Sequence, residues 1–192
     1  MSFTFRCVDA ATDAPLLHSW MIRPYAAFWG MQSSTVDGVA DEYSRIEASG
    51  HHHALLGLDD GAPAFLMEEY NPVSSPLAAV YAVVEGDIGM HLLVAPPSGT
   101  PQSGYTSAVM DAVLNRLFQH PGVERVVVEP DANNSRIHVL NERLGFQPAG
   151  VVTLADKEAL LSFCTREDYL AARSTLQNPH HHFSPITQGA TL

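Results

Sequence analysis

The chain has few of the features that mark a membrane protein, a disulfide scaffold or a nucleic-acid binder. Its 192 residues include two cysteines, Cys7 and Cys164. They have neither metal nor redox spacing, so both are expected to be small buried hydrophobes. No apolar run approaches the roughly 20 residues of a membrane helix, and Met1-Ser2-Phe3-Thr4-Phe5-Arg6 lacks signal-peptide anatomy. A cytoplasmic location with no membrane partner is the expectation. Basic charge is scarce: 10 Lys and Arg stand against 21 Asp and Glu, a formal charge of −11. With no basic surplus to displace counterions from phosphate, a nucleic-acid partner is not expected. The acidity is compatible with a small cationic substrate such as an amine.

What is present suits one α/β core: the apolar fraction is 46%, and the length is short for two domains. Phe3–Val8 alternates as an opening strand. Asp9 or Thr12 can cap a helix through Leu16, Leu17, Trp20 and Met21, which Pro24 ends. An aromatic segment, Tyr25–Gln32, follows. Ser33 or Ser34 then caps a helix striped by Val36, Val39, Tyr43 and Ile46, closed by Gly50. His51–Leu58 and Ala62–Tyr70 read as strands joined at Asp59-Asp60-Gly61.

His51, His52 and His53 suggest a metal, but side chains alternate along a strand. His51 and His53 therefore share a face that His52 opposes, and no third ligand has recognisable spacing. No metal is expected.

Asp87–Val94 is a strand carrying His91. The loop from Pro96 to Pro101 precedes an amphipathic helix opened by Gly104-Tyr105-Thr106, with Val109, Met110, Val113, Leu114 and Leu117 on one face. Arg125–Glu129 is a second apolar strand that delivers Asp131. A helix headed by Asn134 carries Ile137, Val139, Leu140 and Leu144. Gly145 closes it, and Phe146 starts another strand. Val151–Leu154 and Ala159–Cys164 finish as a hairpin, and Glu167–Arg173 reads as a short helix. One domain over residues 1–173 is expected, with 174–192 a flexible tail.

If the strands bearing His91 and Asp131 are neighbours, an imidazole and a carboxylate face one cleft. On spacing alone that pair suits a hydrolase or a metal site. A glycine-containing loop leading into a helix is also an anion site, because free N–H groups and the helix dipole point at the ligand. Here Ser103, Gly104, Tyr105 and Thr106 supply it.

The order strand, loop, helix, strand, Asn-headed helix and Gly145-Phe146 strand resembles the acyl-CoA half of a GNAT-type N-acyltransferase. The segments Gly89-Met-His-Leu-Leu-Val-Ala-Pro-Pro97, Arg125-Val-Val-Val-Glu-Pro-Asp131 and Lys157 with Ala159–Arg166 are similar to the acyltransferases of hydroxamate siderophore assembly. These are the aerobactin, desferrioxamine and mycobactin types. Trp20-Met21, Pro24, Phe28-Trp29-Gly-Met31 and the His51–Ala54 strand resemble the desferrioxamine type in particular. The resemblance covers about residues 3–173.

It implies an α+β GNAT fold, a mixed and mostly antiparallel sheet flanked by helices with a splayed cleft. Acetyl-CoA or succinyl-CoA would be the co-substrate, and the hydroxylamine nitrogen of an N-hydroxylated diamine or lysine the acceptor. Siderophore-pathway enzymes would be its partners, and either a monomer or a homodimer is compatible.

Carried across, the catalytic histidine is His91 and the catalytic aspartate Asp131. His91, with an ordinary imidazole pKa near 6.5, would be the base. Leu93 or Val94 would polarise the thioester carbonyl through a backbone N–H. Ser103, Gly104, Tyr105, Thr106 and Asn134 would hold CoA. Trp20, Phe28, Trp29 and Met31 would pack on the acceptor's hydrocarbon arm. Glu69, with Tyr70 nearby, would meet its distal ammonium. Arg23 or Arg136 could face a succinyl carboxylate. Two departures stand out: Ser103 replaces the basic residue expected before Gly104, and Asn141 occupies the position where many relatives carry a tyrosine acid.

Overall fold

A computed structural model describes residues 1–97 and 99–177. Seven strands form one sheet in the order β1-β2-β3-β4-β5-β7-β6. They are β1 (Phe3–Cys7), β2 (His52–Asp59), β3 (Ala62–Tyr70), β4 (Asp87–Val94), β5 (Arg125–Val128), β6 (Gln147–Thr153) and β7 (Glu158–Thr165). All neighbours pair antiparallel except β4 and β5, which run parallel. A parallel pair needs a crossover, and here it is α3 (Tyr105–Gln119).

Helices α1 (Ala10–Met21) and α2 (Val36–Ser49) cover one face of the β2–β4 region. The other face packs on α3, α4 (Ser135–Arg143) and α5 (Arg166–Gln177). On α3 the expected stripe, Val109, Met110, Val113, Leu114 and Leu117, is buried. Each such side chain contributes about 1.5–3 kcal/mol of transfer free energy. The Asp60-Gly61 turn has φ of 48° and 82°, the left-handed pair that a tight hairpin turn requires.

The local signals misplace a few details. Asp9 caps α1, but Thr35 rather than Ser33 or Ser34 caps α2, accepting from the Gly38 amide at 3.1 Å. Val36 and Val139 are exposed, while Asn141 is buried in α4. Cys164 is buried as expected, but Cys7 is exposed at the end of an edge strand. Helix α5 continues to Gln177, past the boundary expected at residue 173. The rest of the expected tail, residues 178–192, lies outside the described residues. Among the described residues no helix is long and apolar enough to cross a membrane.

Candidate active site

The parallel pairing of β4 and β5 is short, running from Asp87 opposite Arg125 to Gly89 opposite Val127. Beyond that level the strands share no backbone bonds. Two residues further on, His91 of β4 and Glu129 just past β5 face one another across the opening. His91 Nε2 lies 2.7 Å from Glu129 Oε1. The parting of the strands makes a cleft in mid-sheet, and this side-chain contact spans it.

Register decides which other groups join them. Residues directly opposite in an antiparallel pair point to the same face. Glu68 on β3 is opposite His91, and Tyr70 is opposite both Gly89 and, on β2, His52. All five positions therefore share one face. His91 Nδ1 lies 2.9 Å from Glu68 Oε2, and His52 Nε2 lies 3.3 Å from the same oxygen. Tyr43 on α2 donates to Glu68 Oε1 at 2.9 Å, and Tyr70 donates to Glu129 Oε2 at 3.0 Å. Gly89 makes room for this: a Cβ there would come within 2.2 Å of the Tyr70 ring. Lys157 Nζ stands 3.8 Å from Glu129 Oε1.

His91 thus lies between two glutamates, both buried. Burial alone would lower its pKa, but the Glu129 and Glu68 carboxylates outweigh burial and raise it to about 10. Burial likewise pushes the Glu68 carboxyl up, and the His52 and His91 imidazoles overcome that to hold it at about 2. Glu129 is also held below the usual carboxylate range, with His91 and Lys157 overcoming its desolvation. The resting unit is an imidazolium between two carboxylates. This corrects the expectation of a neutral imidazole base with an ordinary pKa.

The cleft around this unit has a volume of about 1120 Å³, large enough for a small substrate together with part of a cofactor. Of the residues expected to bind the acceptor, Phe28, Trp29, Met31 and Tyr70 line it, and the Trp29 ring meets His91 edge-on at 6.2 Å. Two others do not. Trp20 is buried in the core beneath α1, at 4% exposure. Glu69 points to the opposite face, 3.8 Å from Arg116 on α3, because adjacent strand residues alternate. Glu68, not Glu69, shares a face with Tyr70.

Asp131 lines the same cleft without bonding His91. Its Oδ1 accepts from the Asn133 amide at 2.8 Å and from Asn133 Nδ2 at 3.0 Å, so it builds the turn before α4. The carboxylates in contact with His91 are Glu68 and Glu129. Arg136 lines the cleft, whereas Arg23 bonds back to the Ser19 carbonyl.

Of the expected CoA-binding residues, Leu93, Asn134 and the departure at Asn141 line the cleft. Leu93 is buried and Val94 half-buried on β4. Asn141 is 3% exposed, and its Oδ1 has no hydrogen-bond partner among the described residues. Ser103, Gly104, Tyr105 and Thr106 lie at the start of α3, outside the lining of the central cleft. Gly104 caps α3 with a φ of 79°, and a Cβ there would meet nothing within 4 Å among the described residues. The Tyr105 hydroxyl is committed to Asp59 at 3.0 Å. Backbone amides of this first turn are what the loop offers to an anion.

Comparison with known proteins agrees with this architecture. The family model for the acetyltransferase (GNAT) domain matches residues 9–154. An N-hydroxyputrescine acetyltransferase from Acinetobacter baumannii is 28% identical over 169 residues, covering 88% of this chain and 80% of that protein. An N(6)-hydroxylysine O-acetyltransferase from Escherichia coli is 24% identical over 95% of this chain, which spans only 54% of that longer protein. Among solved structures, an uncharacterized protein from Bacillus halodurans superposes with a TM-score of 0.84 at 27% identity, covering 92% of this chain and 91% of that one. An aminoglycoside acetyltransferase bound to ribostamycin and coenzyme A superposes with a TM-score of 0.78 at 24% identity, covering 90% of this chain and 98% of that one. The latter likeness is one of fold.

Proposed function

This chain belongs to the GNAT acetyltransferase family, and we propose that its acceptor is an N-hydroxylated diamine or N-hydroxylysine, acylated on nitrogen to a hydroxamate. The observation that carries this reading is the carboxylate–imidazolium–carboxylate unit of Glu68, His91 and Glu129, set in an aromatic-lined cleft. The names of two relatives, which act on N-hydroxyputrescine and N(6)-hydroxylysine, support the substrate class.

A site whose histidine rests protonated is poorly suited to stripping a proton from an alkylammonium. It suits a nucleophile that arrives neutral. An alkylamine of pKa near that of lysine is about 99.9% protonated at pH 7, whereas a hydroxylamine nitrogen is mostly free. The nitrogen lone pair attacks the thioester carbon, forming the C–N bond, and collapse of the tetrahedral intermediate breaks C–S. The proton lost from nitrogen passes to Glu129, and the His91 imidazolium donates to the departing CoA thiolate. Proton count is conserved across the unit, and His91 takes the part that a tyrosine at position 141 would otherwise play.

Trp29, Phe28 and Met31 pack on the acceptor's hydrocarbon arm, and the carboxylates of the cleft attract its distal ammonium. Asp131 holds the N–OH group. The acyl donor is acetyl-CoA or succinyl-CoA; Arg136 and Lys157 both line the cleft, and Arg136 rather than Lys157, which stands by Glu129, is the cation for a succinyl carboxylate.

Thiol release tests the reading. Acetyl-CoA and succinyl-CoA are each offered with N-hydroxyputrescine, N-hydroxycadaverine, N-hydroxylysine, their unhydroxylated parents and an aminoglycoside. The expected result is a hydroxylated acceptor preferred at pH 7 by at least about 100-fold over its parent, an estimate from the free-base fractions. Equal rates for parent and hydroxylated amine, or a preference for the aminoglycoside, would reject this acceptor class.

A further inference from the structure

Glu68 Oε2 is approached by two imidazole nitrogens from neighbouring strands, His91 Nδ1 at 2.9 Å and His52 Nε2 at 3.3 Å. The three donor atoms lie within 4.8 Å of one another. Acyl transfer as proposed above uses His91 but gives His52 no task. Yet His52 Nε2 is buried and, beyond its 3.3 Å approach to Glu68 Oε2, has no well-directed hydrogen bond among the described residues, an arrangement that costs free energy unless something fills it.

We infer that His52, Glu68 and His91 form a binding site for a divalent transition-metal ion of the Zn²⁺, Co²⁺ or Ni²⁺ class. Ligand atoms held 2.0–2.1 Å from a tetrahedral ion stand about 3.3 Å apart. The His52–Glu68 spacing already matches that figure, and the His91–Glu68 spacing falls a few tenths of an ångström short. Two imidazoles and one carboxylate are a donor set for borderline ions rather than for Ca²⁺ or Mg²⁺. Three protein ligands leave a coordination position facing the cleft, open to water or an incoming molecule.

The groups behind the ligands are arranged as a metal site needs. His91 offers Nδ1 to the site once the incoming ion displaces its proton to solvent, while Nε2–H stays engaged by Glu129, a carboxylate–histidine pair that fixes ring orientation and tautomer. Glu68 offers Oε2 while Oε1 is held by the Tyr43 hydroxyl. Each ligand comes from a different strand, so the site is rigid before an ion arrives. An ion here occupies His91, and metal binding therefore excludes acyl transfer. The inference does not depend on which amine is the acceptor.

The test is an optical titration of Co²⁺ into the full chain carrying H180A, H181A and H182A, which remove the C-terminal histidine run as a competing chelator. One Co²⁺ per chain is expected, with the intense ligand-field absorption of a low-coordinate site that Zn²⁺ then abolishes. H52A and H52Q should each weaken Co²⁺ binding at least about 10-fold, the cost of losing one ligand. H53A, on the opposite face, should not weaken it. Zn²⁺ should inhibit acetyl transfer by the parent at concentrations that leave H52Q active. Two variants guard against misfolding, which far-UV circular dichroism monitors. Unchanged Co²⁺ affinity in a folded H52A or H52Q chain, or the absence of a saturable one-to-one spectrum in the parent, overturns the inference. Either result leaves the thiol-release outcome untouched.

Discussion

His91 and Glu129 meet at 2.7 Å two residues beyond the last backbone pair between β4 and β5. Had the two strands stayed zipped, these residues would be ordinary cross-strand neighbours in a closed sheet. Because the strands part, the pair stands at the apex of a cleft. One imidazole is left between Glu68 and Glu129, and the fold of the sheet thereby becomes the chemistry of the site.

Asp131 is near this unit but not part of it, since its Oδ1 is committed to the turn at Asn133. Asp131→Asn keeps an oxygen able to accept from that turn. It should raise the KM for the amine acceptor while lowering kcat by less than about 10-fold. His91→Ala should lower turnover by about 10²–10⁴-fold, the usual range for a proton-transfer group. Steady-state kinetics of the two variants decide between them. A collapse of kcat in Asp131→Asn equal to that in His91→Ala would return Asp131 to the catalytic unit.

The loop before α3 makes a separate prediction. Gly104 has a left-handed φ of 79°, and among the described residues nothing lies within 4 Å of where a Cβ would stand. A tryptophan there would strain the backbone by about 1–2 kcal/mol and stand where an anion must approach the amides. Gly104→Trp should raise the KM for acyl-CoA several-fold with little change in the KM for the amine. An unchanged acyl-CoA KM removes this turn from the cofactor site.

Stability should depend on pH through Asp87, whose side chain is fully buried against Arg125 in a fork of 2.7 and 2.8 Å. Burial pushes this carboxyl up, but Arg125, the Val84 amide and the Tyr81 hydroxyl together hold it below the usual range. A carboxyl whose native pKa lies below its unfolded value stabilises the fold above the unfolded value. That stabilisation is lost as pH falls through the native one. Asp87→Asn should therefore cost about 3 kcal/mol at pH 7, and the deficit should shrink as pH drops below about 4. Urea unfolding of both chains at pH 7 and at pH 3 measures it, and a deficit independent of pH would contradict the assignment.

Much of the fold was legible in local patterns. The apolar stripe on α3, the Asp60-Gly61 turn and the Asn134 helix start are all encoded within a few residues. His91 could be found because its strand and the helices after it resemble a family pattern. Its partners were harder to see. Glu68 and Glu69 are adjacent, and only the rule that side chains alternate, applied together with Tyr70, tells which one enters the cleft. Glu129 looked like the end of an apolar strand. Its role depends on the separation of β4 from β5, a contact across 38 residues that no local pattern reports. The same holds for His52. Within its own strand it opposes His51 and His53, and its neighbours Glu68 and His91 come from other strands. The imidazole's raised pKa followed from those unseen carboxylates, which is why an ordinary base was expected there.

The central claim is that His91 and Glu129 act as one proton-handling unit, and a double-mutant cycle on kcat with N-hydroxyputrescine and acetyl-CoA tests it most directly. Groups that work as a unit are strongly non-additive: once one is gone, removing the second costs little more. His91→Ala combined with Glu129→Gln should therefore be slowed by no more than about threefold beyond His91→Ala alone, an expectation for a fully coupled pair. Losses that multiply in the double variant, with each residue acting independently of the other, would contradict the account.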